Sequence, residues 1–128
     1  MIRGYVDNDL QAKAPVFVLG KNANPSPLSA VVDTGFIGGL CISIHEVPKI
    51  ELAFSHDKKF ELGNGKVVTQ PVYWGKVVFD KRTIAVEVIV SASRDTLIGT
   101  SLLSDKKLDI DYPRRSVLIK PSKPRKKK

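Results

Sequence analysis

The sequence predicts an all-β domain folded as a closed or partly open barrel, with about nine strands and two short helices. Three observations lead there. β-Branched and aromatic runs recur along the chain, divided by Gly, Pro, Asn and Asp signals. Every connection between them is short. Two of the apolar runs, residues 30–35 and 96–99, end abruptly at a glycine.

At 128 residues the chain has room for one domain, long enough to bury about two thirds of the surface exposed when unfolded. Its 42% hydrophobic and 27% charged content is that of a globular protein, and no apolar run is long enough to span a membrane. Residues 1–10 contain Arg3, Asp7 and Asp9 and no apolar core, so no signal peptide is read there and a cytoplasmic protein is expected. Cys41 is the only cysteine, which excludes an internal disulfide and reads as a buried thiol. Cys41, His45 and His56 fall short of a four-ligand metal pattern, so neither a metal nor another cofactor is expected.

The net charge of +8 is concentrated at the end of the chain. Lys120, Lys123, Arg125, Lys126, Lys127 and Lys128, interrupted by Pro121 and Pro124, read as a disordered basic tail over residues 121–128, after a domain over residues 1–120. Such a tail can make weak, salt-sensitive contacts with nucleic acid or acidic partners, or serve only solubility. No stacking aromatics accompany it.

In chain order, residues 2–6 and 15–19 read as an edge hairpin around Asp7-Asn8-Asp9. A loop at residues 21–27 leads to a strand over residues 28–32. Its end, Val31-Val32-Asp33-Thr34-Gly35, places a carboxylate at the inner end of a buried strand, where it must be protonated, paired or hydrogen-bonded; the Thr34 hydroxyl and Gly35 N–H are candidates. Residues 36–42 turn through Gly38 and Gly39 into another apolar run. Ser43-Ile44-His45-Glu46 then matches a capping box for a short helix stopped near Pro48.

Phe60-Glu61-Leu62 and residues 66–69 flank Gly63-Asn64-Gly65, a hairpin in which Asn-Gly supplies positive φ angles. Residues 72–79 and 83–90 make a second hairpin about Asp80-Lys81-Arg82, with Pro71 at a strand mouth or edge. After Leu97-Ile98-Gly99, Thr100 is placed to cap a helix running to about Lys106. Residues 108–112 alternate apolar with acidic as a half-buried strand, putting Asp109 and Asp111 on its solvated face, and residues 117–120 form the last strand.

Asp33-Thr34-Gly35, together with the later Leu97-Ile98-Gly99 and its short helix, resembles the retropepsin-like (retroviral-type) aspartic proteases and their single-domain bacterial and archaeal relatives. The resemblance runs over most of the chain, roughly residues 1–120. It implies an aspartic endopeptidase in which Asp33 is the catalytic acid/base and Thr34 and Gly35 support it. The hairpin would be a flap with Gly63, Asn64 and Gly65 at its tip. Phe36, Leu62, Leu97 and Ile98 join that tip as candidates for the substrate cleft.

Aspartic proteolysis needs two carboxylates sharing a proton, one activating water and the other polarising the scissile carbonyl. One Asp-Thr-Gly per chain therefore implies a two-fold homodimer acting on an extended polypeptide, and the resemblance gives Thr34 the role of locking the two loops across the axis. The sequence departs from the family's pattern in three places. Phe36 stands where familiar members carry Ala or Ser, Ile37 and Gly38 replace acidic residues, and Thr100 replaces an arginine. Two other readings remain open: a non-catalytic retropepsin-like dimerisation or peptide-binding module, and a nucleic-acid binder acting through the basic tail.

Overall fold

The computed structural model describes residues 1–20, 22 and 24–123. Ten strands carry the fold: β1 (Ile2–Val6), β2 (Ala12–Leu19), β3 (Pro25–Val32), β4 (Leu40–Ser43), β5 (Ala53–Glu61), β6 (Val67–Phe79), β7 (Arg82–Ser91), β8 (Thr96–Ile98), β9 (Lys106–Asp111) and β10 (Ser116–Pro121). A 3-10 helix, Ile44–Lys49, and a single helical turn, α1 (Thr100–Leu103), complete it.

The strands form one sheet in the order β5-β6-β7-β4-β8-β3-β2-β1-β10-β9. A further pairing of β2 with β6, through Phe17 opposite Val78 and Val18 opposite Val77, closes β6, β7, β4, β8, β3 and β2 into a six-stranded barrel. The expected all-β barrel is thus the observed fold. Val16, Val18, Leu40, Ile42, Val77, Val88 and Ile98 fill it, all fully buried, and Leu102 brings α1 onto the same core.

Local chemistry explains the connections. The second hairpin turns on two residues, Asp80 and Lys81, at φ of 50° and 68°, the double left-handed turn that matches strand twist. At the β5–β6 tip the backbone uses a different device. Gly65 N–H donates to Leu62 O at 2.9 Å, Leu62 and Lys66 are bonded at 2.7 Å, and only Gly65, at φ 82°, is left-handed. Asn64 contributes its side chain instead, accepting Lys66 N–H at 3.0 Å. The Asn-Gly expectation of two positive φ angles is corrected to one. At the 3-10 helix, Ser43 Oγ accepts His45 N–H at 3.3 Å as expected of a cap, and the helix runs through Pro48 to Lys49.

Other sequence expectations also need correction. β1 and β2 do pair as a hairpin, but not at a sheet edge, because β1 lies between β2 and β10. β2 starts at Ala12 and includes Pro15, whose missing N–H falls between the pairings to β1 and to β6. Only the end of β5, at Phe60 and Glu61, was anticipated, and the strand reaches back to Ala53. The chain also has one long strand, β6, where two were expected, and Pro71 sits within it opposite Asp57, in the part of β6 that has only β5 beside it. The second helix is shorter than expected, ending at Leu103, because Lys106 already pairs with Pro121 in the β9–β10 ladder. Its cap is Gly99, not Thr100. Pro121, assigned to the tail, closes β10. Ser122 and Lys123 are exposed, and the rest of the predicted tail lies outside the described residues.

The terminal strands are tied down by charge. The amino terminus pairs with Asp80, which also lies 3.9 Å from Lys106 Nζ, and Lys106 meets Asp105 at 2.8 Å. Asp80 is held below its ordinary value first by the bond from the terminal ammonium. No helix of the described residues is long and apolar enough to cross a membrane.

Candidate active site

The two run-to-glycine segments come together. β3 and β8 pair in parallel, Val32 opposite Ile98, and the ladder runs on past the strand end because Asp33 N–H donates to Ile98 O at 2.9 Å. Gly35 N–H then donates to Asp33 Oδ1 at 2.9 Å, and Phe36 N–H to Asp33 O at 3.1 Å. The carboxylate is partly buried, and its second oxygen has no protein donor among the described residues. No lysine or arginine among them pairs with it. Of the two candidates for satisfying Asp33, the glycine amide does so, while Thr34 stands exposed.

The second segment braces the first. Gly99 N–H donates to Gly39 O at 3.0 Å, Thr100 N–H to Phe36 O at 2.8 Å and Ser101 N–H to Gly38 O at 3.3 Å. These bonds require close backbone approach: a Cβ at Gly99 would stand 2.0 Å from Gly38 O, which only glycine avoids. The loop bearing Asp33 is therefore fixed by backbone on both sides. The Phe36 ring occupies the space left by glycines, since a Cβ at Gly38 would meet it at 2.5 Å and one at Gly99 at 2.8 Å. A bulky residue after Asp-Thr-Gly is accommodated by lying back across its own loop.

A cleft of about 880 Å³ opens beside this loop. Gly35 to Gly39 form one wall, Lys58, Phe60 and Glu61 of β5 the opposite one, and β6 and β7 the floor. Trp74 and Glu87 lie directly opposite each other on that floor, with Val72 opposite Ile89 one step along the same face. Trp74 is 46% exposed although it sits mid-strand.

Of the sequence-predicted site residues, Asp33, Thr34 and Gly35 form the loop at the lip, and Gly35 and Phe36 line the cleft. Leu62, Gly63, Asn64 and Gly65 form the exposed hairpin tip and are not among the lining residues. Leu97 is half-buried between Val31 and Cys41. Ile98 is fully buried, so its side chain serves the core and its carbonyl serves Asp33. Lys58, Phe60 and Glu87 are among the lining residues that sequence reasoning missed, while Trp74, which the sequence leaves open between a place in a cleft and packing within a strand, lines the cleft. An aromatic opposite a carboxylate would have signalled the floor, but only once the β6–β7 register was known.

The remaining candidates disperse. Cys41 is buried on β4, where desolvation raises its thiol above the ordinary value; His45 and His56 are exposed on the 3-10 helix and on β5. Among the described residues no three His, Cys, Asp or Glu side chains gather as metal ligands do.

No protein-family model and no curated protein matches the chain. Among solved structures the fold is similar to that of a foamy viral protease-reverse transcriptase determined in complex with an RNA/DNA hybrid, at a TM-score of 0.51 and 20% identity. That match covers 76% of this chain and 13% of the viral one. The likeness is one of fold.

Proposed function

We propose that the chain is an aspartic endopeptidase working as a two-fold homodimer, with Asp33 of each copy forming the catalytic dyad. The observation that carries this reading is the placement of Asp33. It is a carboxylate fixed through its own backbone and the Gly35 amide, with one oxygen free of protein donors among the described residues, at the lip of a cleft large enough for several residues of an extended chain. The fold's likeness to a foamy viral protease-reverse transcriptase supports it.

In the dimer the two Asp33 carboxyls share one proton because like charges at that range do not both ionise; the handedness of the chemistry then follows, one deprotonating water while the other polarises the carbonyl. A second copy would also cover Ile37, which is 82% exposed beside Thr34 on the same loop. Thr34 then holds loop to loop, and the β5–β6 hairpin acts as a flap over the substrate.

Digestion of a mixed peptide library by wild type and Asp33→Asn, read by mass spectrometry across acid to neutral pH, tests the proposal. Asn keeps an acceptor for Gly35 N–H, so the fold persists while turnover falls at least about a hundredfold. Specific activity should rise with protein concentration in the dilute range. Equal turnover by the variant would sink the reading.

A further inference from the structure

The floor of the cleft carries a chemical bias of its own. Trp74 and Glu87 are a directly opposed cross-strand pair, a spacing at which side chains touch. Trp74, 46% exposed, borders this cleft as well as a neighbouring hollow beside Leu19, Glu51 and Lys76, and Glu87 is partly buried with no ion pair or side-chain hydrogen bond among the described residues. Leaving a carboxylate half out of water and unpaired is unfavourable, and the chain has cations to spare, with 21 Lys and Arg against 13 Asp and Glu. The cleft nevertheless reverses that balance. Its charged lining is Glu61, Glu87 and Lys58, and Lys58 is turned to the Phe60 ring, 5.5 Å from its centroid.

We infer that Trp74 and Glu87 form a subsite for a lysine or arginine side chain of an extended polypeptide, the cation lying on the indole face and pairing with the carboxylate. An indole face attracts a cation, and a carboxylate beside it adds the charge-assisted bond that fixes direction. Apolar neighbours on the floor, Val72, Ile84 and Ile89, suit the aliphatic stem of such a side chain. The inference deepens the endopeptidase reading and rests on it for the extended-chain ligand.

Trp74 is the only tryptophan, so its fluorescence reports this subsite directly, without catalysis. The Asp33→Asn full-length chain is titrated with two peptides that differ by one Lys→Gln change, at low and at moderate salt. The lysine peptide should shift Trp74 emission and bind about tenfold tighter, a difference of about 1.4 kcal/mol. Glu87→Gln should abolish the difference, and Glu87→Lys should reverse it, each checked by an unchanged thermal midpoint. Equal binding of the two peptides, a preference that survives Glu87→Gln, or no response from Trp74 to either peptide would overturn the subsite. The two readings fail separately. Asp33-dependent cleavage with no preference for Lys or Arg removes the subsite and leaves the protease. Charge-selective Trp74 binding without cleavage by wild type removes the protease and leaves the subsite.

Discussion

The loop that carries Asp33 and the tip of the β5–β6 hairpin are built in opposite ways. In the loop, amides of Asp33, Gly35, Phe36, Gly99, Thr100 and Ser101 all have backbone or carboxylate acceptors; the Gly38 carbonyl leaves no room for a side chain at Gly99, and the Phe36 ring leaves none at Gly38. At the tip, every residue from Leu62 to Lys66 is exposed, and a Cβ at Gly63 or Gly65 would meet nothing within 4 Å. Under the proposed function the contrast suits each part, since a reacting group needs fixed geometry and a lid needs few contacts to break. The same residue type, glycine, serves exclusion of a side chain in one place and turn geometry in the other.

Substituting those glycines tests the contrast most severely. Gly99→Ala sets a methyl 2.0 Å from a carbonyl oxygen in the most constrained part of the molecule, and should cost at least about 3 kcal/mol by urea denaturation. A loss under about 1 kcal/mol would mean that the lacing of the two segments is looser than described. Gly65→Ala meets no atom but holds φ at 82°, so it should cost about 1 kcal/mol, while Gly63→Ala should fall within about 0.5 kcal/mol of wild type. Equal effects at the two tip glycines would show that the left-handed residue is not what shapes this turn.

The β1–β2 turn sharpens the comparison at smaller scale, because a carboxylate fastens it alongside the backbone bonds from Asp7 N–H to Gln11 O and from Leu10 N–H to Asp7 O. Asp7 Oδ1 accepts the N–H groups of Gln11 and Asp9, each at 2.9 Å, and Lys13 lies 3.3 Å from the other oxygen. The Gln11 bond first, and Lys13 after it, lower the Asp7 carboxyl from its ordinary 3.8. A carboxyl lowered in the folded state stabilises above the unfolded value and loses that contribution as pH falls through the folded one. Wild type should therefore lose a small increment of stability between pH 3.8 and more acid values that Asp7→Asn does not lose, measured as the difference in urea midpoint against pH. Parallel curves would remove the carboxylate from the account of this turn.

How much of this could be read in the sequence depends on whether the signal was local. Val31-Val32-Asp33-Thr34-Gly35 announces itself because a β-branched run, an acid and a glycine are contiguous, and the second hairpin is visible in two β-branched runs. β5 gave no such sign: Ser55, His56, Asp57, Lys58 and Lys59 are polar, and the strand is mostly exposed with a single neighbour, so no apolar alternation marks it. The short signals at residues 60–62 and 66–69 indicated a small hairpin where the chain builds arms of nine and thirteen residues. Leu62 was assigned to the cleft from its nearness to the tip, yet long arms carry the tip beyond the lining and leave Lys58 and Phe60 to form the wall. Trp74 and Glu87 are thirteen positions apart and meet only through register. Ile98 looked like a site residue because it adjoins one; its side chain points the other way, into the core.

The seam that closes the barrel consists of two residue pairs, joining Phe17 and Val18 to Val78 and Val77 across some sixty residues of chain. The β6–β7 hairpin, which supplies the cleft floor, needs only the two-residue turn at Asp80 and Lys81. Closing a long loop is entropically slow and a tight hairpin is fast. The order of assembly then follows from connectivity: the β6–β7 surface that floors the cleft is an early, local product, and the shut barrel around the core is a late one.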